Sequence, residues 1–218
     1  MQISKIPGAG TYPGNAPEAC SNTLYSRFFK RLLDILMAFI GLVLFMQVFL
    51  IIAIAIKLDT AGPVLFVQPR LGKRGEMFRI IKFRTMVVGA EKMDTGLIIN
   101  DCTDRRITRV GRFLRKTSLD ELPQLLNILW GNMSVVGPRP PAVYWPYDGI
   151  DNYPDWAKKR FWVKPGLTGL AQVVYRNNAA WEERFELDNR YVDNISLMLD
   201  IKLILKTLVL IFKRENIY

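Results

Sequence analysis

From Ile35 to Ile56 the chain reads ILMAFIGLVLFMQVFLIIAIAI, 22 residues without a charge. A helix needs ~20 such residues to cross the hydrocarbon of a bilayer, so the run is long enough. Six helical turns without a polar face argue against burial in a water-soluble core. The flanks add direction. Arg27, Lys30 and Arg31 precede the run, and Lys57, Arg70, Lys73 and Arg74 follow it. The preference of Lys and Arg for the cytoplasmic side would keep both ends together. A segment that enters the membrane, turns and returns satisfies this, and a straight span does not. Gln47 sits near the middle, where an amide in hydrocarbon needs a partner. Carbonyls freed at a break in the helix would supply one; a straight span would carry Gln47 as a single tolerated polar residue.

The rest of the chain divides around this segment. Residues 1–24 begin MQISKIPGAGTYPGNAPEACSNT, rich in Pro, Gly and Ala and without periodicity, which predicts a flexible leader or an appended extension. Residues 25–58 are expected to form the membrane-inserted part, and residues 59–218 a domain at its cytoplasmic face. Within it, 63–86 reads as a β-hairpin: Val64–Val67 and Met77–Phe83 are β-prone and LGKRG supplies the turn. A polar loop is expected over Ala90–Arg109, then helices over Ile107–Lys116 and Glu121–Leu129, ended by Pro138, Pro140 and Pro141. Tyr144 to Trp162 mixes aromatic rings with Lys158, Lys159 and Arg160, which suits either a lipid headgroup zone or a helix capping the core. Residues 195–214 form an amphipathic helix with Lys202, Lys206 and Lys213 on one face. The expected fold class is α+β: one helix-rich domain with a small hairpin, a membrane-inserted and re-entrant N-terminal helix, and interfacial amphipathic helices.

Composition removes several chemistries. The 218 residues include no histidine, which excludes Ser-His and Cys-His catalysis and His-containing zinc sites. Cys20 and Cys102 are too few and too unlike in context for a disulfide framework or a Cys₄ site, as expected for a reducing cytosolic setting. Thirty Lys and Arg against twenty Asp and Glu give a formal charge of +10, which calls for an anionic partner.

Against that background, residues 117–140 read TSLDELPQLLNILWGNMSVVGPRP, with Asp120 and Glu121 side by side. Ser118 and Glu121 have capping-box spacing, but Pro123 would then fall inside the helix. Starting the helix at Asp120 moves Pro123 into the first turn, where no backbone donor is needed. Cations crowd the pair: Arg105, Arg106, Arg109, Arg112, Arg115 and Lys116 before it, Arg139 after it. Without histidine, such carboxylates can hold Mg²⁺, act as a base, or attack phosphorus to form an acyl phosphate. The arginines suit phosphate oxygens, which their planar forks bind bidentately.

RLLDIL at 31–36, KFRTM at 82–86, SLDELPQLLNILWGNMSVVGPRP at 118–140 and KPGLTGLAQV at 164–173 together resemble the small monotopic phosphoglycosyl transferases of bacteria. These are also called polyprenyl-phosphate glycosyl-1-phosphate transferases or bacterial sugar transferases. The resemblance covers roughly residues 25–215. It implies transfer of a sugar 1-phosphate from a UDP-sugar to a polyprenyl phosphate at the cytoplasmic face of the bacterial inner membrane, with release of UMP. It implies Asp120 as nucleophile and Mg²⁺ ligand, Glu121 as its acidic partner, and Lys82, Arg84, Arg115, Arg139 and Gln172 as substrate-binding residues. Membrane lipid is an expected partner and nucleic acid is not; pairing of the chain with itself is left open. One departure concerns topology. The family carries Ser-Pro midway along the membrane segment, where proline breaks the helix, and this chain has Met46-Gln47 there.

Two rivals share these features. A membrane-anchored basic protein binding anionic lipid or nucleic acid would explain the charge and the aromatic-cation stretch. A phosphotransferase using metal-bound water would explain the acidic pair without a covalent intermediate. The sugar is not legible, although VYRNNAAW at 174–181 follows TGLAQV and is placed to line its site.

Overall fold

The computed structural model describes residues 24–90, 93, 104–175 and 179–213. The expected leader (but for Leu24), both cysteines, most of the 90–109 loop and Arg176 to Asn178 lie outside the described residues. A single π-helical turn, Tyr25–Phe29, leads into α1, Lys30–Asp59. A hairpin follows, β1 (Leu65–Leu71) and β2 (Met77–Phe83), paired antiparallel with Leu65 opposite Phe83 and Leu71 opposite Met77. Helices α2 (Arg109–Thr117) and α3 (Gln124–Trp130) flank the acidic pair. Strands β3 (Ser134–Val136) and β4 (Gly166–Thr168) form a small parallel pair. Helices α4 (Leu170–Tyr175), α5 (Trp181–Asp193) and α6 (Leu197–Lys213) complete the order. The expected α+β class holds. The β3–β4 pair was not anticipated, because three residues per strand carry no alternation to read.

The long apolar helix has no break. Helix α1 continues through Met46 and Gln47 over 30 residues, about 45 Å, since neither residue lacks a backbone donor. The expected re-entrant turn is therefore corrected: α1 is one straight-through helix that lies along the domain and is fastened to it at each end. Near its start, Arg31 donates to the carbonyls of Ile128 at 2.6 Å and Leu129 at 2.8 Å, capping the end of α3. Buried Asp34 accepts from Ser134 Oγ at 3.0 Å and Val135 N at 2.9 Å, tying the helix to β3. Lys30 pairs with Asp200 of α6 at 2.5 Å. At the far end, Asp59 accepts from Val110 N at 3.0 Å, which places it at the start of α2.

Between these anchors, one stripe of α1 is packed. Ala38 joins Phe78, Ile80, Leu125, Ile128 and Val136 in the main core, and Ile52 and Ile56 meet Phe83 and Leu114. Leu44, Met46, Leu50 and Ile51 on the remaining surface are exposed. Helix α6 shows the same division: Leu203 is buried, whereas Met198, Leu205 and Val209 are exposed. The aromatic stretch divides between interior and surface. Tyr153 and Phe161 pack around Phe185, so the core reading holds for them, while Tyr144, Trp145 and Trp156 are exposed.

A two-stranded sheet leaves each strand with an open edge, and on β2 that edge is closed by a side chain. Asn127 of α3 is fully buried; its Oδ1 accepts from Ile81 N at 3.0 Å and its Nδ2 donates to Arg79 O at 2.7 Å. The amide thus satisfies the donor and acceptor that a third strand would have taken. Asn127→Leu should strand both groups, each worth about 1–3 kcal/mol when buried without a partner. Thermal unfolding in detergent should show the variant melting several degrees below the parent; an unchanged midpoint would contradict this role.

Candidate active site

The acidic pair sits in a tight turn between α2 and α3. Thr108 caps α2, its side chain accepting from Gly111 N at 2.9 Å. The helix stops at Ser118, which is left-handed with φ 57° and ψ 16°. Leu119–Glu121 then forms one 3₁₀ turn, held by Glu121 N to Ser118 O and Leu122 N to Leu119 O, both 3.3 Å. Pro123 has no N–H to close an α-helical bond to Leu119, so the α-helix begins only at Gln124. The expected start at Asp120 is therefore corrected, and the Ser118–Glu121 capping box does not form. Helix α3 has only seven residues, so a helix dipole adds little at the pair.

Three elements bring cations to this turn. Lys82, near the end of β2, pairs with Glu121 Oε1 at 2.7 Å, and Arg139, in the GPRP loop after β3, donates to the same oxygen at 3.0 Å. Burial alone would raise the Glu121 pKa, but Lys82 and then Arg139 outweigh it and hold the carboxyl well below its ordinary value. Burial also acts on Lys82, lowering its pKa against the pull of Glu121, while Glu121 raises that of Arg139. Asp120 behaves otherwise. Burial pushes it up to about 6, with Lys82, Arg115 and Arg139 opposing and Glu121 reinforcing. Among the described residues no hydrogen bond or ion pair engages its carboxylate. Two adjacent carboxylates thus have different fates: Glu121 is locked by two cations, and half-buried Asp120 keeps its oxygens available.

Arg115 reaches the site from the last turn of α2, where its Nε donates to Thr85 Oγ1 at 2.9 Å. Two expected substrate contacts lie elsewhere among the described residues. Arg84 is 4% exposed and spends Nη1 on Ala61 O and Nη2 on Thr60 O, closing the end of α1. Gln172, in α4, donates from Nε2 to Leu167 O at 3.1 Å, and its Oε1 is buried without a partner. Neither touches the acidic pair.

The structure gives supporting roles to residues that the sequence reading had not tied to the acidic pair. The loop carrying Arg139 is fixed from behind: its carbonyl accepts from Arg160 Nη2 at 2.7 Å, and Arg160 pairs with Asp188 of α5 at 2.9 Å, both buried. No spacing in the chain announces a pair 28 residues apart. Arg70 of β1 donates to Pro140 O at 3.3 Å and to Gln68 Oε1 at 2.7 Å. Its pKa is lowered to about 10, by burial and then by Arg139. Glycine permits the loop to lie so close: a Cβ on Gly137 would stand 2.5 Å from Lys164 O.

The donor set suits Mg²⁺ of the kind held by one or two carboxylates together with substrate phosphates and water, because Asp120 offers uncommitted hard oxygens. A cage of three or more acidic residues is absent among the described residues.

Residues 25–214 match the family model described as bacterial sugar transferase. The chain is 41% identical to the UDP-glucose:undecaprenyl-phosphate glucose-1-phosphate transferase of Klebsiella pneumoniae, over 87% of this chain and 41% of that protein. It is 37% identical to the undecaprenyl-phosphate galactose phosphotransferase of Salmonella typhimurium, over 88% and 42%. An uncharacterized sugar transferase, EpsL of Bacillus subtilis, is 41% identical over 86% of this chain and 89% of its own length. The chain therefore spans about two fifths of the two relatives named for their substrates, and nearly all of the third.

Lys82 is the first of the cations that hold the Asp120 pKa down. Lys82→Met should raise it further above about 6. Carboxylate infrared difference spectra recorded across pH, with Asp120→Asn to assign the band, check this; a downward move would contradict the assigned electrostatics.

Proposed function

This chain belongs to the bacterial sugar transferase family, and from that premise we propose that it moves a sugar 1-phosphate from a UDP-sugar to a polyprenyl phosphate through a covalent bond to Asp120. The observation that carries this reading is the contrast within the acidic pair. Glu121 is neutralised by Lys82 and Arg139, while Asp120 is ionised at neutral pH and engaged by no hydrogen bond among the described residues. A carboxylate so placed is a competent nucleophile.

In the first step an Asp120 oxygen attacks the sugar-bearing phosphorus. The bond from that phosphorus to the bridging oxygen breaks, and the electron pair leaves with UMP. An acyl phosphate then links Asp120 to the sugar. In the second step a phosphate oxygen of the polyprenyl phosphate attacks the same phosphorus, the acyl bond breaks, and the Asp120 carboxylate is restored. Neither step requires an enzyme-borne proton, which suits a chain without histidine. Arg139 and Arg115 supply the positive field that the two anions approach, and Lys82 with Glu121 keeps that field oriented. Mg²⁺ held by Asp120 and the substrate's phosphate oxygens would offset diphosphate charge. Arg84 enters this account as a positioning residue that fixes the β2 end to α1.

The acceptor is a membrane lipid, and the exposed apolar faces of α1 and α6 fit a domain seated on the cytoplasmic face of the bacterial inner membrane. Both ends of α1 are bound to the same domain, so this seat does not require a broken helix.

Asp120→Asn keeps the shape of the side chain and removes its charge. UMP release from a panel of UDP-sugars, with Mg²⁺ and polyprenyl phosphate present, should fall at least ~10³-fold in this variant, in line with loss of a nucleophile. Release retained near the parent rate would sink the assignment. The same panel identifies the sugar.

A further inference from the structure

A second concentration of positive charge lies at the turn of the β1–β2 hairpin, at the opposite end of β2 from Lys82. There a cavity of about 300 Å³ opens between the turn, the end of α3 and the approach to β4. Its walls include Lys73, Arg74 and Glu76 from the turn, Gly131 and Asn132 after α3, and Lys164. None of these residues takes part in the Asp120 site.

Three cations face one carboxylate here, and among the described residues Lys73, Arg74 and Lys164 make no ion pair. Arg31 adds a fourth at the rim. Its Nη2 and Lys164 Nζ both stand 3.4 Å from the point that a Cβ on Gly131 would occupy, so they face each other across that glycine. Burial lowers the pKa of Lys73, with Arg74 adding to it and Glu76 opposing, and burial lowers that of Lys164, with Arg31 adding to it and buried Asp34, already bonded to Ser134 and Val135, opposing. Like charges gathered in a concave site with little counter-charge favour an anion between them.

The surroundings indicate where the anion comes from. Trp130, next to Gly131, is 64% exposed. Leu32 and Leu36 begin the exposed apolar face of α1 one residue beyond Arg31. An exposed indole beside clustered cations, at the start of an apolar helix, is the arrangement found at the headgroup level of a bilayer.

We propose that this cavity is a second anion site, separate from the Asp120 centre, that seats the phosphate of an anionic phospholipid headgroup. The chemistry recognised is a phosphate anion, which free phosphate or a nucleotide also carries; Trp130 and the α1 face favour the lipid source. The proposal rests on the membrane seat described above and not on the transfer chemistry.

Native mass spectrometry of the full chain in detergent micelles, titrated with phosphatidylglycerol or phosphatidylcholine, tests it. Phosphatidylglycerol should be retained in preference to phosphatidylcholine. Lys73→Gln with Lys164→Gln should weaken phosphatidylglycerol binding about thirtyfold, and Lys164→Gln alone about fivefold. Arg79→Gln with Arg105→Gln, which removes the same charge from exposed positions elsewhere, should leave it unchanged. Absence of a headgroup preference, or equal losses in the two double variants, would overturn the site. Displacement of the lipid by inorganic phosphate or UMP at matching concentration would overturn its assignment to lipid. The single variant covers a double variant that fails to fold. UMP release measured on the same samples keeps this result apart from the fate of the Asp120 reading.

Discussion

The geometry of the site depends on one side chain that substitutes for a strand. Asn127 closes the open edge of β2 through Ile81 N and Arg79 O, and thereby fixes how α3 lies against the hairpin. Lys82 follows Ile81 by one residue, and Glu121 stands three residues before α3, so the same bond pair sets the 2.7 Å contact between them. A buried amide with both ends satisfied tolerates no slip in register, because a shift would strand a donor and an acceptor together. The main core then fills the space beside it, with Ile80, Leu125 and Ile128 packed on Ala38 of α1.

That fixed frame lets two neighbouring carboxylates do unlike things. Glu121 takes the charge of Lys82 and Arg139 and becomes part of the scaffold. Asp120, one residue earlier in the same 3₁₀ turn, is left with burial as its dominant influence and, among the described residues, keeps its oxygens free of hydrogen bonds. The turn itself follows from Pro123, whose missing N–H delays the α-helix to Gln124. Behind Arg139, the buried Arg160–Asp188 pair holds the loop by its backbone, so the guanidinium can meet both Glu121 and an incoming anion.

Much of this was legible in the sequence, and the remainder has identifiable physical causes. The hairpin, the apolar helix and the acidic pair with Arg115 and Arg139 near it follow from β-propensity, length and charge density, whereas Lys82 was marked only by the family resemblance. Asn127 left a trace as a polar residue within LLNIL, although its role as a strand substitute needs the third dimension. Arg84 and Gln172 stand in the matching motifs, yet their hydrogen bonds run to backbone carbonyls away from the acidic pair, an outcome set by packing. Charge at both ends of α1 suggested a segment that turns back, but no proline interrupts the run, and the helix continues unbroken with anchors at Arg31, Asp34 and Asp59. Arg160 stood out only as a cation among aromatics and Asp188 not at all, since their pairing is purely tertiary.

The central claim is that Asp120 carries the sugar phosphate covalently between donor and acceptor. Intact-protein and peptide mass spectrometry of the full chain, incubated with its UDP-sugar and Mg²⁺ while polyprenyl phosphate is withheld, addresses it most directly. The account predicts a mass increase of one sugar phosphate located on the peptide that contains Asp120, discharged when the acceptor is added. Steady UMP release with acceptor present, but no adduct at Asp120 when it is withheld, would contradict it.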